Sequence, residues 1–277
     1  MDERMRITIL GARGSIPTEG EGMIEFGGST SCVLIEAGDQ AVFLDAGTGI
    51  MNAPDVGTKQ ISIFLTHPHL DHILGLPFFP YLQQKNKRID FYAKRSGTHS
   101  AKELVGEVLS PPLWPCRADD YPADIVFHDM ALPVRMGDVL VEGIASNHPG
   151  GGTVYRVTFS QRSVVYATDY EYDPPKASEL VEFARGTDLL MMDGQYTRDE
   201  LEGKRGYGHS APESGIRIMK ESGAKMIRFV HHDPMHRDDF LRRMEAEAAE
   251  LYGTDENGSG DGIKTVAFAR KEEVIIL

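Results

Sequence analysis

An α/β fold with a mixed sheet is the architecture this sequence predicts. Short β-rich runs alternate with helical patterns along the chain, the order of layered α/β proteins. Three successive β-runs, at 139–144, 153–159 and 163–167, have short connections that make them antiparallel neighbours, so a purely parallel sheet is disfavoured. With 277 residues, 41% of them hydrophobic, the chain can bury a sizeable core.

The first β-runs fall at 5–10, 31–36, 41–44, 60–65 and 89–92, dense in the branched and aromatic side chains that suit a pleated surface. A helical pattern fits 98–109. Residues 110–116 (SPPLWPC) form a proline-broken loop with the single tryptophan, either a lid over a pocket or a loop anchored by a buried ring. After a β-run at 125–127 and the antiparallel group come a helix over 176–184 and a strand over 189–192. Ser210 and Glu213 spell a capping box for a helix over 211–221, with Pro212 tolerated in its first turn. A strand over 226–230, a helix over 238–252 and a strand over 265–268 follow. Between the last two, 253–262 (GTDENGSGDG) is an acidic turn whose likeness to a calcium loop fails at the twelfth position, Val266. No linker or repeat interrupts the order, and a single domain over 1–277 is expected.

Composition narrows the function classes. A net charge of −13 argues against a nucleic-acid-binding face. No run approaches the ~20 apolar residues of a membrane span. The charged N-terminus has no apolar signal core, and Cys32 and Cys116 supply neither a disulfide framework nor a four-thiolate metal site, so a reducing, cytoplasmic setting is expected. The basic residues Lys85, Lys87, Arg88, Lys94 and Arg95 fit a charged strand edge better than a substrate contact. Phe78, Phe79, Tyr81 and Leu82 read as core.

The chemistry concentrates in Thr66-His67-Pro68-His69-Leu70-Asp71-His72, directly after the apolar run 61–65. Alternate residues of an extended segment share a face, so His67 and His69 can meet one cation, and a turn into a helix at Leu70 would swing Asp71 and His72 toward a second. Imidazole and carboxylate suit zinc, iron or manganese without a thiolate. Placing so many polar groups between a strand and an apolar turn is costly unless something binds them. Three further β-runs end in the same way, leading to His148, to Asp169, and to His231 and His232. Strand ends of a layered sheet can converge on one rim.

His67-x-His69-x-Asp71-His72, followed by a distant histidine, aspartate and histidine, resembles the metallo-β-lactamase superfamily over roughly residues 7–236. Gly11-x-x-Gly14-Ser15-x-Pro17, Gly27-Gly28-Ser29-Thr30-Ser31-Cys32 and Leu44-Asp45-Ala46-Gly47-Thr48-Gly49 are similar to its tRNase Z and cyclic-phosphodiesterase branch. The resemblance implies a four-layer αββα sandwich with two divalent metals at one edge, zinc first, manganese or iron next. It assigns His67, His69 and His148 to one metal, Asp71, His72 and His231 to the other, and Asp169 to both. His231 is preferred to His232 because the family's last ligand directly follows the strand. Asp45 is either the acceptor that orients a ligand histidine or a turn residue. His209, in Gly206-Tyr207-Gly208-His209-Ser210, is either a solvent-facing loop residue or, by the family's Gly-His-Ser pattern, a general acid or phosphate anchor.

The implied activity is hydrolysis, in which two metals bring a bridging water toward a neutral pKa, Asp71 accepts or orients its proton, and His209 protonates a leaving alkoxide. Asp169 and the lack of a ligand cysteine separate the chain from the zinc β-lactamases, and His69 separates it from diiron members with glutamate there. No tRNA-gripping arm is evident, and the cysteines of a structural zinc site are missing, so the substrate of the phosphoribosyl cyclic phosphodiesterases is not carried over. The expected substrate is a cyclic nucleotide or another small phosphodiester. Lactone, thioester or carboxylic ester hydrolysis is the alternative, and an inactive metal-binding or scaffolding member the non-enzyme one. The partners expected are a small anionic substrate and at most a second copy in a homodimer, with neither a membrane nor a long nucleic acid.

Overall fold

Two seven-stranded sheets face each other in the computed structural model, which describes residues 4–253 and 265–277. The first comprises β1 (Met5–Gly11), β2 (Cys32–Ala37), β3 (Gln40–Leu44), β4 (Gln60–Leu65), β5 (Arg88–Ala93), β6 (Asp124–Asp129) and, beside β1, β14 (Val274–Ile276). The second runs from β7 (Val134–Met136) through β8 (Val139–Ala145), β9 (Thr153–Phe159), β10 (Arg162–Ala167), β11 (Leu189–Asp193) and β12 (Met226–Val230) to β13 (Val266–Phe268). Both are mixed. Strands β3 to β6 and β10 to β13 are parallel, whereas β1 pairs antiparallel with β2 and β14, and β7 to β10 run as an antiparallel meander.

Side-chain alternation shows how the layers form. In β4, Ile61, Ile63 and Leu65 enter the apolar layer under α2 (Ala101–Val108), while Phe64 points into the layer between the sheets. In β11, Leu189 and Met191 enter that same central layer, while Leu190 and Met192 pack under α3 (Pro174–Phe183), α5 (Pro212–Ser222) and α6 (Asp238–Tyr252). Strands covered on both faces need continuous apolar runs, which is why these read so clearly in the sequence. The result is an αββα sandwich.

Several expectations need correction. Helix α2 starts later than residue 98 because Ser100, not an earlier residue, makes the capping box with Glu103. No Ser210–Glu213 box forms: α5 is capped at Ala211, and Ser210 instead donates its hydroxyl to Tyr170 O at 2.6 Å and its amide to Asp193 Oδ1 at 2.9 Å. Strand β5 is not an edge, since β4 and β6 flank it. Its charges are balanced locally, Arg88 by Asp90 and Arg95 by Asp129. Phe79, Tyr81 and Leu82 are core, but Phe78 is 56% exposed and packs edge-on against Trp114 at 5.1 Å. Trp114 donates its Nε1 hydrogen to Tyr121 OH at 2.8 Å, which anchors the proline-broken loop. The short elements β7, β14, α1 (Leu70–Ile73) and α4 (Arg198–Glu202) hold too few residues to show a period. The acidic turn lies outside the described residues from position 254 onward. No helix among the described residues is long and apolar enough to cross a membrane.

Candidate metal centre

The parallel blocks, together with β8, bring their carboxyl ends to one rim. Asp45 follows β3, the His67–His72 segment follows β4, His148 follows β8, Asp169 follows β10, Asp193 ends β11 and His231 follows β12. One group of ligand-type atoms gathers His67, His69, His148 and Asp169, and another gathers Asp71, His72 and His231, each set within 4.8 Å. In the first, His67 Nε2 and His148 Nε2 lie 2.9 and 3.3 Å from His69 Nδ1. In the second, Asp71 Oδ2 lies 3.0 Å from His231 Nε2 and 3.3 Å from His72 Nε2. Asp169 stands between them, with Oδ1 3.6 Å from His67 Nε2 and 3.4 Å from His231 Nε2, and Oδ2 3.2 Å from His72 Nε2.

Local backbone geometry delivers these groups. Asp45, Asp169 and His231 all have positive φ, at 64°, 51° and 63°. Such left-handed conformations are uncommon for residues with a Cβ and persist where surrounding structure enforces them. Each turns the chain sharply at a strand end. The turn sends His231 into the cluster and His232 into the core, where its Nε2 bonds Ala269 O at 2.9 Å and its ring meets Phe26 edge-on. Gly14 closes against His231 so tightly that a Cβ would sit 2.3 Å from its Nδ1.

Second partners fix the rings. His72 Nδ1 bonds Asp45 Oδ2 at 2.7 Å, and Asp45 Oδ1 also accepts the Thr66 amide at 2.7 Å. His231 Nδ1 bonds Gln195 Oε1 at 3.0 Å, His148 Nδ1 bonds Gly208 O at 3.1 Å, and Asp71 Oδ2 accepts the Ser15 amide at 2.7 Å. His209 is buried, not solvent-facing: its ring stacks on His231 at 4.6 Å and its Nδ1 bonds Asp193 Oδ2 at 2.8 Å.

Electrostatics divides the cluster. Burial holds the imidazoles of His67, His69 and His148 below the ordinary histidine range. Burial also disfavours charge on His72 and His231, yet Asp169 with Asp45 and Asp71 outweighs it at His72, holding it well above that range, and Asp169 with Asp71 and Asp193 holds His231 at about 9. Asp169 and Asp71 are held below the carboxylate range because the neighbouring histidines outweigh their burial. The ion-pair partners of Asp45, Asp71, Asp169 and Asp193 are all histidines among the described residues. Buried carboxylates need a cation. The fully buried Nε2 of His72 makes no hydrogen bond although carboxylate oxygens lie 3.3 and 3.2 Å away, an orphaned polar atom that a cation among them would satisfy. The donor set, imidazole plus carboxylate, is one that divalent zinc, manganese or iron accepts.

Sequence reasoning missed four residues. Asp193 ends a strand in a carboxylate, the same layout that marked Asp169, and so was findable. Gln195 and Glu171 carry no spacing signal. Arg13, fully buried, donates to Gly27 O, Asp233 O and His236 O and so ties the end of β1 to the loop after β12; burial lowers its pKa to about 10.

Known proteins agree with this architecture. The sequence profile of the beta-lactamase superfamily domain matches residues 33–232. Ribonuclease Z of Haloarcula marismortui is 22% identical over 273 residues, covering 82% of this chain and 86% of that protein. Among solved structures, the metallo-beta-lactamase fold protein YhfI from Bacillus subtilis superposes with a TM-score of 0.73 at 20% identity and full coverage of both chains. A diphosphatase from the PhnP family superposes at 0.63 with 18% identity, covering 99% of this chain and 97% of that one.

Proposed function

Since the chain belongs to the β-lactamase superfamily, as a metal-dependent hydrolase, we propose that it cleaves a small phosphodiester, a cyclic nucleotide being the leading candidate, with two divalent metals in its rim site. The observation that carries the reading is the convergence of two ligand groups around Asp169, with His209 stacked at their edge. His67, His69 and His148 would hold one cation, Asp71, His72 and His231 the other, and Asp169 both. When bound, the pair supplies Lewis acidity toward the phosphoryl oxygens and lowers the pKa of a coordinated water toward neutrality.

The chain's own groups do the rest. Asp71 would orient the attacking water or accept its proton, its carboxylate held in place by the Ser15 amide. Asp193 accepts from His209 Nδ1, which leaves Nε2 as the nitrogen able to pass a proton to the departing oxygen as the P–O bond breaks. Asp45 and Gln195 hold His72 and His231 by their second nitrogens, so both rings meet the site without rearrangement.

Relatives named Ribonuclease Z favour a second substrate, an RNA phosphodiester. The net charge of −13 favours the smaller one, since gripping a polyanion needs a basic face. The deciding assay measures metal content of protein purified without chelator, then turnover of bis-p-nitrophenyl phosphate, cyclic nucleotides, a precursor tRNA, lactones and thioesters. Diester turnover with about two metals per chain is expected. Lactone or thioester turnover with none on any diester would overturn the reading, and less than about one metal per chain would favour a non-catalytic member.

A further inference from the structure

We infer that Glu171 is a positioning residue that locks the loop carrying His209 onto the loop carrying His148; the inference rests on the roles proposed for these two histidines. Glu171 stands two residues beyond Asp169, where the chain leaves β10. Its main chain is zipped to the His148 loop: its amide donates to Asn147 O at 2.9 Å, and its carbonyl accepts from Asn147 Nδ2 at 2.7 Å. Its side chain reaches the opposite way. The carboxylate accepts the Gly206 amide with both oxygens at 2.9 Å and the Gly208 amide at 2.9 Å. On either side of it, Tyr170 O and Tyr172 N are bonded to Ser210 Oγ at 2.6 and 2.9 Å. The stretch from Asp169 to Tyr172 is thus a spine between two loops that do not adjoin in sequence.

The loop on the side-chain face needs such a hold. Gly206 and Gly208 have φ of 85° and 93°, a conformation glycine reaches freely and leaves as freely. Two amides turned toward one side form an anion-binding concavity, and here a carboxylate of the same chain fills it. No cation pairs with Glu171 among the described residues; its side-chain partners are these main-chain amides. Charge-assisted bonds of this kind are about twice as strong as neutral ones.

The consequence reaches both histidines. Gly208 O accepts from His148 Nδ1, which leaves His148 Nε2 facing His69. Gly208 also packs so closely that a Cβ there would lie 1.9 Å from His148 Nδ1. The next residue is His209. Releasing Gly206 and Gly208 would loosen the acceptor that sets one ring and the backbone that carries the other.

The test compares Glu171→Ala and Glu171→Gln with Glu179→Ala, an exposed carboxylate on α3 outside the site. Amide exchange at Gly206 and Gly208, read by NMR on glycine-labelled protein, needs no metal; it should accelerate at least about tenfold in the alanine variant. Zinc retention against a chelator should weaken about tenfold. Diester turnover should fall in kcat by about a hundredfold with KM little changed, as for a mispositioned group. Glutamine, which keeps one acceptor oxygen, should recover part of each loss, and Glu179→Ala should match the parent protein. Unchanged exchange and zinc retention in Glu171→Ala would overturn the inference, as would equal losses in Glu179→Ala. A parent protein that retains no zinc and turns over no diester defeats the proposed function instead, while the exchange measurement still reads the clamp.

Discussion

The two ligand groups differ in depth and in support. His69 is exposed, so the group of His67, His69 and His148 reaches solvent, and its imidazoles lean on one another, on the Thr66 hydroxyl and on one backbone carbonyl. Asp71, His72 and His231 are all buried, and each is held by a separate partner: Ser15, Asp45 and Gln195. The outer group gathers imidazoles that loss of solvation lowers from the ordinary histidine range. The inner group gathers carboxylates that draw charge onto its histidines. The difference teaches that, in the proposed metal centre, the inner half would hold its cation more firmly, whereas the outer half would be the one open to exchange.

The largest expected effect follows directly. Chelation should abolish turnover, and His72→Ala should lower kcat/KM on the order of a thousandfold, with excess zinc unable to restore it. His69→Ala should be rescued in part by excess zinc. Equal rescue of both variants, read by steady-state kinetics against zinc concentration, would erase the distinction between the halves.

His209→Ala should lower kcat about a hundredfold or more on a diester with an alkoxide leaving group, but far less on bis-p-nitrophenyl phosphate, whose leaving group needs no proton. Equal losses on both substrates would refute its role as proton donor. Asp45→Asn should weaken retention of the inner metal by about 10–100-fold, measured by chelator competition, since His72 loses the partner that orients it. The smallest effect concerns stability away from the site. Asp188 is buried, which disfavours its charge, but hydrogen bonds from Lys225 and the Ser163 amide outweigh this and hold it below the carboxylate range. A carboxylate depressed in the folded state stabilises above its unfolded pKa of about 3.9 and loses that contribution as pH falls through the folded value. Asp188→Asn should therefore cost about 1 kcal/mol at pH 7, and its melting temperature should converge with the parent's below pH 3.

Local order was legible wherever a residue's environment is set by its neighbours in sequence. Strand β4 shows its buried faces because both are apolar, and His67 and His69 share a direction because alternate residues of an extended segment do. Ser210 misled for the opposite reason. Its spacing to Glu213 suits a cap, but Tyr170 and Asp193, some 40 and 17 residues away, compete for its hydroxyl and amide and prevail. Glu171 and Gln195 were invisible because their partners are backbone amides and a distant ring.

The chain's residues by themselves determined the α/β order, the strand ends and the kinds of side chain stationed there, since periodicity and composition act over a few residues. Only the tertiary structure decided which of His231 and His232 turns inward, that Asp193 backs His209, and that all these strand ends meet. Those outcomes depend on a left-handed turn and on contacts such as Asp71 with His231, 160 positions apart, which no local pattern can encode.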